Sequence, residues 1–542
     1  MTRLARPLAQ AKDRYDVIVI GSGYGGGVSA ARLAAAGKCV AVLERGREFP
    51  TGSFPSRFPE MRAEMQVRAK SWRIGKATGL YDVRLGEDMH VLVACGLGGG
   101  SLVNAGVALR PDPRVFADAV WPGQIRQDGL LDEGYARARQ WLRPMRSPRA
   151  QSMTKYKALE TAAAKGLGMV PVAPDVVVSF EANTNPAGVH QPACTDCGDC
   201  CGGCNVGAKN TVALTYLPFA ANHGAEIFTE ARVSHVEKTA AGEWAVVVED
   251  ITGGKPTGTT RRLSSAMVIV AAGALGSTEI LLRSREKGLA LSDRVGKRFS
   301  ANGDIIAFGY GANVPVNAVG VGHPAKLQHL AVGAAVSGQL EIVDPDDLSR
   351  SMTIQEGAMP SALAPMLPVL FLPNGRLLGA LQSLVSGVYK GPFQNLQTFF
   401  AVSHDSASGV FSLDGDRLDL AWPGAKDEAV YQRLDEALGK IVGAVGGSYV
   451  KNPLAGTVMG HQPATAHPLG GAVMGSDHST GVVDHKGQVF ACHGGEAAVH
   501  DGLYVIDGSI IPRSLGCNPL LTITALAERA MIHVGRDKGL GV

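Results

Sequence analysis

The sequence predicts an α/β protein of two domains. One is built on a mostly parallel sheet assembled from separated segments; the other is inserted between them and carries an antiparallel sheet. Three observations predict it. Near the start, YDVIVIGSGYGGGVSAARLAAAGKCVAVLERG reads as strand, glycine turn, helix, strand. Far downstream, RRLSSAMVIVAAGALGSTEILLRS repeats strand, glycine turn and helix. After it, residues 304–453 alternate short apolar runs with proline and glycine breaks, the texture of an antiparallel sheet with covering helices.

Each element follows from its residues. Val17–Ile20 is a continuous apolar run, as in a parallel strand buried on both faces. Ala30–Ala36 are strong helix formers, and Gly37 stops the helix. Val40–Leu43 gives the next strand. GAEIFTEARVSHVE and GEWAVVVED read as strands joined by a polar turn at Ala240–Gly242. From His461 the chain returns to strand, turn and helix. The expected division is a nucleotide-binding domain from 13–50, 88–110, 208–303 and 461–540. A substrate domain with covering segments takes 51–87, 111–193 and 304–460, and a cysteine-rich loop takes 194–207.

Composition narrows the function. The 542 residues are 45% hydrophobic and 19% charged, which is globular and not disordered. Glycine numbers 69, nearly twice the usual share of roughly 7%, and without a collagen period this suggests backbone held close to a ligand. The net charge is +3 with no basic stripe, so nucleic acid is not expected. No apolar run reaches about 18 residues, and MTRLARPLAQAKDRYDVIVI lacks a signal-peptide core. A cytoplasmic location is expected, with at most peripheral membrane contact.

Gly21, Gly23 and Gly26 form G-x-G-x-x-G directly after a strand and at a helix start. The first permits the tight turn, the second a close approach to pyrophosphate, and the third close helix–strand packing. Glu44 ends the next strand, placed to accept from a ribose hydroxyl. This is a Rossmann-like dinucleotide site.

A second glycine run, in ACGLGGGSLVNAGVALRPDPRVF, is no part of a nicotinamide fingerprint. Together with MVIVAAGALGSTEILLRS, HPLGGAVMG and LYVIDGSIIPRSLGCNPLLTITALAERA, it resembles the glucose–methanol–choline (GMC) flavoprotein family. Within that family it is most like the cholesterol oxidases and their intracellular actinobacterial relatives. The resemblance runs in order from Tyr15 to about His533. It implies the GMC fold, one FAD, and alcohol oxidation. It also implies cofactor contacts at Gly98, Gly100, Ser101, Asn104, Val107, Val233, Asp507, Gly508 and Pro519, beside the glycine turn and Glu44.

Alcohol oxidation by a flavin needs a hydride acceptor, which the cofactor supplies, and a group to take the hydroxyl proton, for which histidine is suited. Of 14 histidines, His467 in AHPLGGAVMG matches the family's active-site histidine by resemblance. Asn518 in GCNPLL matches the polar partner of the same substrate oxygen, and it also reads as a helix cap before PLLTITALAERA. Glu356 in TIQEGAMP resembles the glutamate that moves a proton during double-bond isomerisation; the bland alternative is a loop glutamate. The apolar stretch 361–391 is broken by Pro365, Pro368 and Pro373, so it cannot span a membrane as one helix; the readings left are a hydrophobic pocket lining, a membrane-touching lid, or ordinary core. The substrate expected is a sterol or steroid 3-hydroxyl, or another bulky apolar secondary alcohol. A flavin-fold isomerase and a non-catalytic electron carrier are the competing classes.

Cys194, Cys197, Cys200 and Cys204 fall at C-x2-C-x2-C-x3-C, the ferredoxin spacing. An iron–sulfur cluster, [4Fe–4S] or [3Fe–4S], is expected there, passing electrons to an external acceptor protein or quinone. Asn205 follows Cys204 where ferredoxins have proline, and no second run exists, so the fourth ligand stays open. Cys201 is the adjacent spare. Zinc, or reduced cysteines bracing a loop, are the alternatives; without a cluster the enzyme is an oxygen-using oxidase.

Overall fold

The computed structural model describes residues 3–325, 331–367, 389–390, 393–451, 462–493 and 495–542. Most of the apolar stretch 361–391 lies outside the described residues, as does His461.

The first domain is a nine-stranded sheet. At its centre β1 (Arg14–Ile20) lies between β2 (Val40–Leu43) and β3 (Thr260–Val270), all parallel. The apolar run Val17–Ile20 is buried throughout, as a strand covered on both faces must be. The strand Val499–Val505 joins the far side of β3, also parallel. The N-terminal half of β3 turns antiparallel, pairing with Trp244–Asp250, which pairs with Ala231–Lys238. Glu226–Phe228 and then Ala5–Arg6 extend the β2 edge. Strands far apart in sequence thus build one layer.

Register brings four strand ends level: Ile20 is opposite Leu43 and Val270, and Val270 is opposite Val505. Gly21, Glu44, Ala271 and Ile506 follow immediately. Open parallel sheets bind ligands outside their carboxyl ends. Two helices start here, α1 (Tyr24–Ala35) and α2 (Gly273–Glu286). Gly21 has φ +94°, and a Cβ on it would lie 2.3 Å from the Ala271 carbonyl. A Cβ on Gly26 would lie 2.1 Å from the Gly21 carbonyl, and one on Gly25 1.6 Å from that of Ile506. Around Gly23 nothing lies within 4 Å of that position.

The second domain is a five-stranded antiparallel sheet. Its order is β4 (Gln339–Ile342), β5 (Met352–Gly357), Gln397–Val402, Ile305–Tyr310 and Ser448–Lys451. A third sheet covers the cavity mouth, from Met65–Arg68, Arg73–Ile74, Tyr81–Leu85, His90–Ala94 and Ala464–Thr465. So the strand of segment 88–110 pairs with the covering strands, not with the nine-stranded sheet. Only the glycine run after it returns to the first domain, where a Cβ on Gly99 would lie 2.8 Å from the Gly23 Cα. The C-terminal helix α3 (Leu520–Lys538) packs on α1 and on the helix Leu130–Leu142. Among the described residues no helix is long and apolar enough to cross a membrane.

The glycine geometry separates folding from binding. Gly25→Ala is expected to lower the melting temperature by at least about 5 °C, because two backbones must part. Gly23→Ala is expected to keep the melting temperature of the nucleotide-free protein while weakening nucleotide retention. Thermal melts of stripped and loaded protein check both.

Candidate active site

A cavity of about 1330 Å³ opens over the level strand ends and runs between the domains. Gly21, Gly23, Glu44, Ala271, Asp507 and Gly508 line one end. Ile306, Met359, Leu363, Phe400 and Val402, from the second domain, line another part.

The first end fits a dinucleotide. The helix α1 starts from Gly23 with no side-chain cap, so its first N–H groups face the cavity as an anion site. Glu44 is buried and accepts from the Ser22 N–H (3.2 Å), the Ser22 hydroxyl (2.6 Å) and the Gly46 N–H (2.7 Å). Burial still pushes its carboxyl up. Asp507 accepts from Gly273 N–H and Ser277 through one oxygen, and from Ser509 through the other; burial pushes it up as well. Asn104 donates to the Tyr24 hydroxyl (2.7 Å), while its own Oδ1 is buried without a partner among the described residues, an orphan acceptor in the wall. Gly100, Val107, Val233 and Pro519 also line the cavity. Gly26, Gly98 and Ser101 do not; they shape the turns behind it. Ser101 donates to the Gly98 carbonyl (2.6 Å) and accepts from the Val212 N–H (3.0 Å).

His467 and Asn518 both reach the cavity. His467 Nδ1 lies 2.8 Å from Asp304 Oδ1. Asp304 is buried, and its other oxygen accepts from the Thr465 hydroxyl and the backbone of Ala466 and His467. An acceptor-only carboxylate makes Nδ1 the protonated nitrogen, so Nε2 is the basic one, and it has no partner among the described residues. Asn518 Oδ1 accepts from Gln355 Nε2 at 2.7 Å, leaving Nδ2 without a partner among the described residues. Asn518 does not cap α3, whose N-cap residue is Pro519.

A family model described as GMC oxidoreductase, N-terminal part, matches residues 15–302, and its C-terminal counterpart matches 451–527. The chain belongs to the GMC oxidoreductase family. A cholesterol oxidase of Mycobacterium tuberculosis is 28% identical over 96% of this chain and 91% of its own. A long-chain-alcohol oxidase of Arabidopsis thaliana is 25% identical over 95% of this chain and 66% of its own. A solved Aspergillus oryzae formate oxidase superposes with a TM-score of 0.62 at 14% identity, covering 98% of this chain and 100% of its own, and so shares the fold. This GMC protein is an FAD-dependent oxidoreductase that oxidises alcohols.

Glu356 is not brought to the cavity. Successive residues of a strand face opposite ways. Gln355 turns toward Asn518, and Glu356 turns back to Lys155. Lys155 Nζ lies 2.8 Å from both Glu356 oxygens and donates to Ser337; the N–H groups of Ser337 and Gly338 donate to Glu356. Both side chains are almost fully buried.

Cys194, Cys197, Cys200 and Cys204 line one small second cavity with Lys209 and Gly333, while Cys201 lines the large one. The Cys194 sulfur accepts the Asp196 N–H at 3.4 Å. Burial pushes the Cys197 thiol up to about 12 and raises Cys194 and Cys200 too. Lys209, wholly buried, donates to the carbonyls of Leu102, Asn104 and Cys200, each at 2.9 Å, tying the two cavities together. Burial pulls its ammonium down, and the nearby cysteines act against that. Elsewhere, Asp128, His485 and His533 cluster at metal-ligand spacing, but the Arg529 guanidinium donates to Asp128 and His485 and fills the gap.

Sequence reasoning missed Asp304, Gln355, Lys155 and Lys209. None has a local signal: Asp304, Gln355 and Lys155 meet His467, Asn518 and Glu356 across long stretches of chain, and Lys209 binds the distant Leu102 and Asn104 as well as the nearby Cys200.

The buried pair yields a separable prediction. Glu356→Gln leaves the Lys155 ammonium unpaired and is expected to cost roughly 3–5 kcal/mol of stability. Flavin reduction by the alcohol should stay within about threefold of wild type. A thermal melt beside anaerobic stopped-flow rates tests this; a proton-shuttling Glu356 would give the reverse pattern.

Proposed function

We propose that this GMC enzyme oxidises a bulky apolar secondary alcohol, a sterol or steroid 3-hydroxyl being the leading class. We further propose that electrons leave through an iron–sulfur cluster on Cys194, Cys197, Cys200 and Cys204 to an external acceptor protein or quinone. The observation that carries the first part is His467, pinned by Asp304 and set with Asn518 in a cavity whose second-domain wall is apolar. The relative described as a cholesterol oxidase supports the substrate class.

Bound FAD supplies the hydride acceptor. The chain orients the carbinol and handles its proton. His467 Nε2 accepts the hydroxyl proton, and Asp304 stabilises the imidazolium that forms. Asn518 Nδ2 donates to the carbinol oxygen as negative charge gathers there. The Lys155 partner of Glu356 speaks against the isomerase reading, since a carboxylate held in that pair is not free to carry protons.

Two features support the cluster. All four cysteines of the motif face one cavity, and Cys201 faces the other. The Asp196 N–H donates to the Cys194 sulfur, and backbone N–H groups aimed at sulfur stabilise thiolates and tune clusters.

His467→Ala is expected to slow flavin reduction about 10²–10⁴-fold at saturating alcohol, with little change in substrate affinity. Anaerobic stopped-flow absorbance measures it; a loss of threefold or less returns His467 to a structural role. Cys197→Ser is expected to remove iron and cut transfer to an artificial acceptor, while leaving flavin reduction nearly intact. Iron analysis, paramagnetic resonance and paired half-reaction rates on anaerobic protein test this. Iron-free wild type, fully active with the acceptor, would overturn the electron exit.

A further inference from the structure

We infer that Gln355, Gln339 and Glu341 form a positioning relay that fixes the amide of Asn518 with its N–H edge toward the cavity. The inference rests on the place proposed above for Asn518 at the carbinol oxygen.

Strand geometry builds the relay. β4 and β5 pair antiparallel with Gln339 directly opposite Gln355. Side chains at i and i+2 share a face, so Glu341 and Gln339 stand together, and Gln355 meets Gln339 across the pair. The same face of β5 packs on the 516–518 segment, where Thr353 donates to the Gly516 carbonyl. Gln339, Gln355 and Asn518 are buried; Glu341 stands at the exposed end.

Chemistry gives the relay a direction. An amide presents either its oxygen or its NH2, and a shape-neutral flip exchanges them. The Glu341 carboxylate only accepts, so Gln339 must turn its NH2 to it, at 2.5 Å. Gln339 then offers its oxygen, which accepts from Gln355 Nε2 at 3.2 Å. The second hydrogen of that NH2 goes to Asn518 Oδ1 at 2.7 Å. Asn518 is left with Nδ2 facing the cavity. One charge at the surface thereby sets which end of a buried amide meets the substrate. A reversed Asn518 would aim a carbonyl at the oxygen that gains negative charge, where a donor is needed.

The test uses holoenzyme and anaerobic flavin reduction by the alcohol between about pH 6 and 9. Gln355→Leu is expected to lower the limiting rate about 10–100-fold, with the half-saturating alcohol concentration shifted less than about threefold. Gln355→Glu separates orientation from packing. Its protonated acid still donates to Asn518, whereas its carboxylate can only accept and forces the amide over. Burial raises such a carboxyl toward neutrality, so the rate of this variant should fall reversibly as pH rises, a limb absent from wild type. If Gln355→Leu loses FAD, Gln355→Glu decides alone, since a misfolded protein shows no reversible limb. Both variants within about twofold of wild type at every pH would overturn the relay. If no alcohol reduces wild type, the proposed function fails first. The relay is then read from acetate binding, followed by flavin absorbance. Binding about tenfold weaker in Gln355→Leu supports it, and equal binding overturns it.

Discussion

The site depends on how closely three backbones approach at the carboxyl ends of β1, β3 and the strand Val499–Val505. Gly21 lies against Ala271, Gly25 against Ile506, and Gly26 against Gly21, each with no room for a Cβ. That crowding brings the ends of three distant segments to one line. It leaves Gly23 as the open position, with the start of α1 behind it. The anion site, the Glu44 carboxylate and the Asp507 loop all take their places from these contacts. Tight packing does the positioning, so the polar groups need only face the right way.

The polar groups that reach the cavity are held by side chains from elsewhere in the fold. His467 has Asp304, Asn518 has Gln355, and Asn104 has the Lys209 ammonium on its carbonyl. Each support comes from a distant segment. Buried hydrogen bonds of this kind narrow the rotamers of the side chains they hold, and each bond offsets part of the cost of desolvating them. The same principle governs the cysteine loop, where the Asp196 N–H points at the Cys194 sulfur and Lys209 gathers three carbonyls.

Much of this was legible in the sequence, for physical reasons. An apolar run followed by G-x-G-x-x-G leaves few folds open, and Val17–Ile20 with Gly21 and Gly23 led to β1 and the turn. The alternation after residue 304 led to the antiparallel sheet. Segment 88–110 was harder: its glycine run belongs beside the first turn, but its strand pairs with neighbours that carry no periodic signal. Glu356 shows the limit of motif reading. A strand's side chains alternate, so a shift of one residue exchanges the Asn518 side for the Lys155 side. TIQEGAMP does not say which of Gln355 and Glu356 turns toward Asn518. Asp304 and Lys209 lie where linear patterns are silent, because their partners are set by the folded arrangement.

Asp304 directly precedes the first strand of the second domain, and His467 belongs to the C-terminal part of the first. The pair exists only where the two domains meet. Lineages that trade one substrate domain for another by recombination therefore cannot treat it as a detachable cartridge. The incoming piece must bring its own carboxylate at that junction, or the histidine it meets is left unanchored. New specificities are more accessible by changing the walls of the inserted sheet than by replacing it whole.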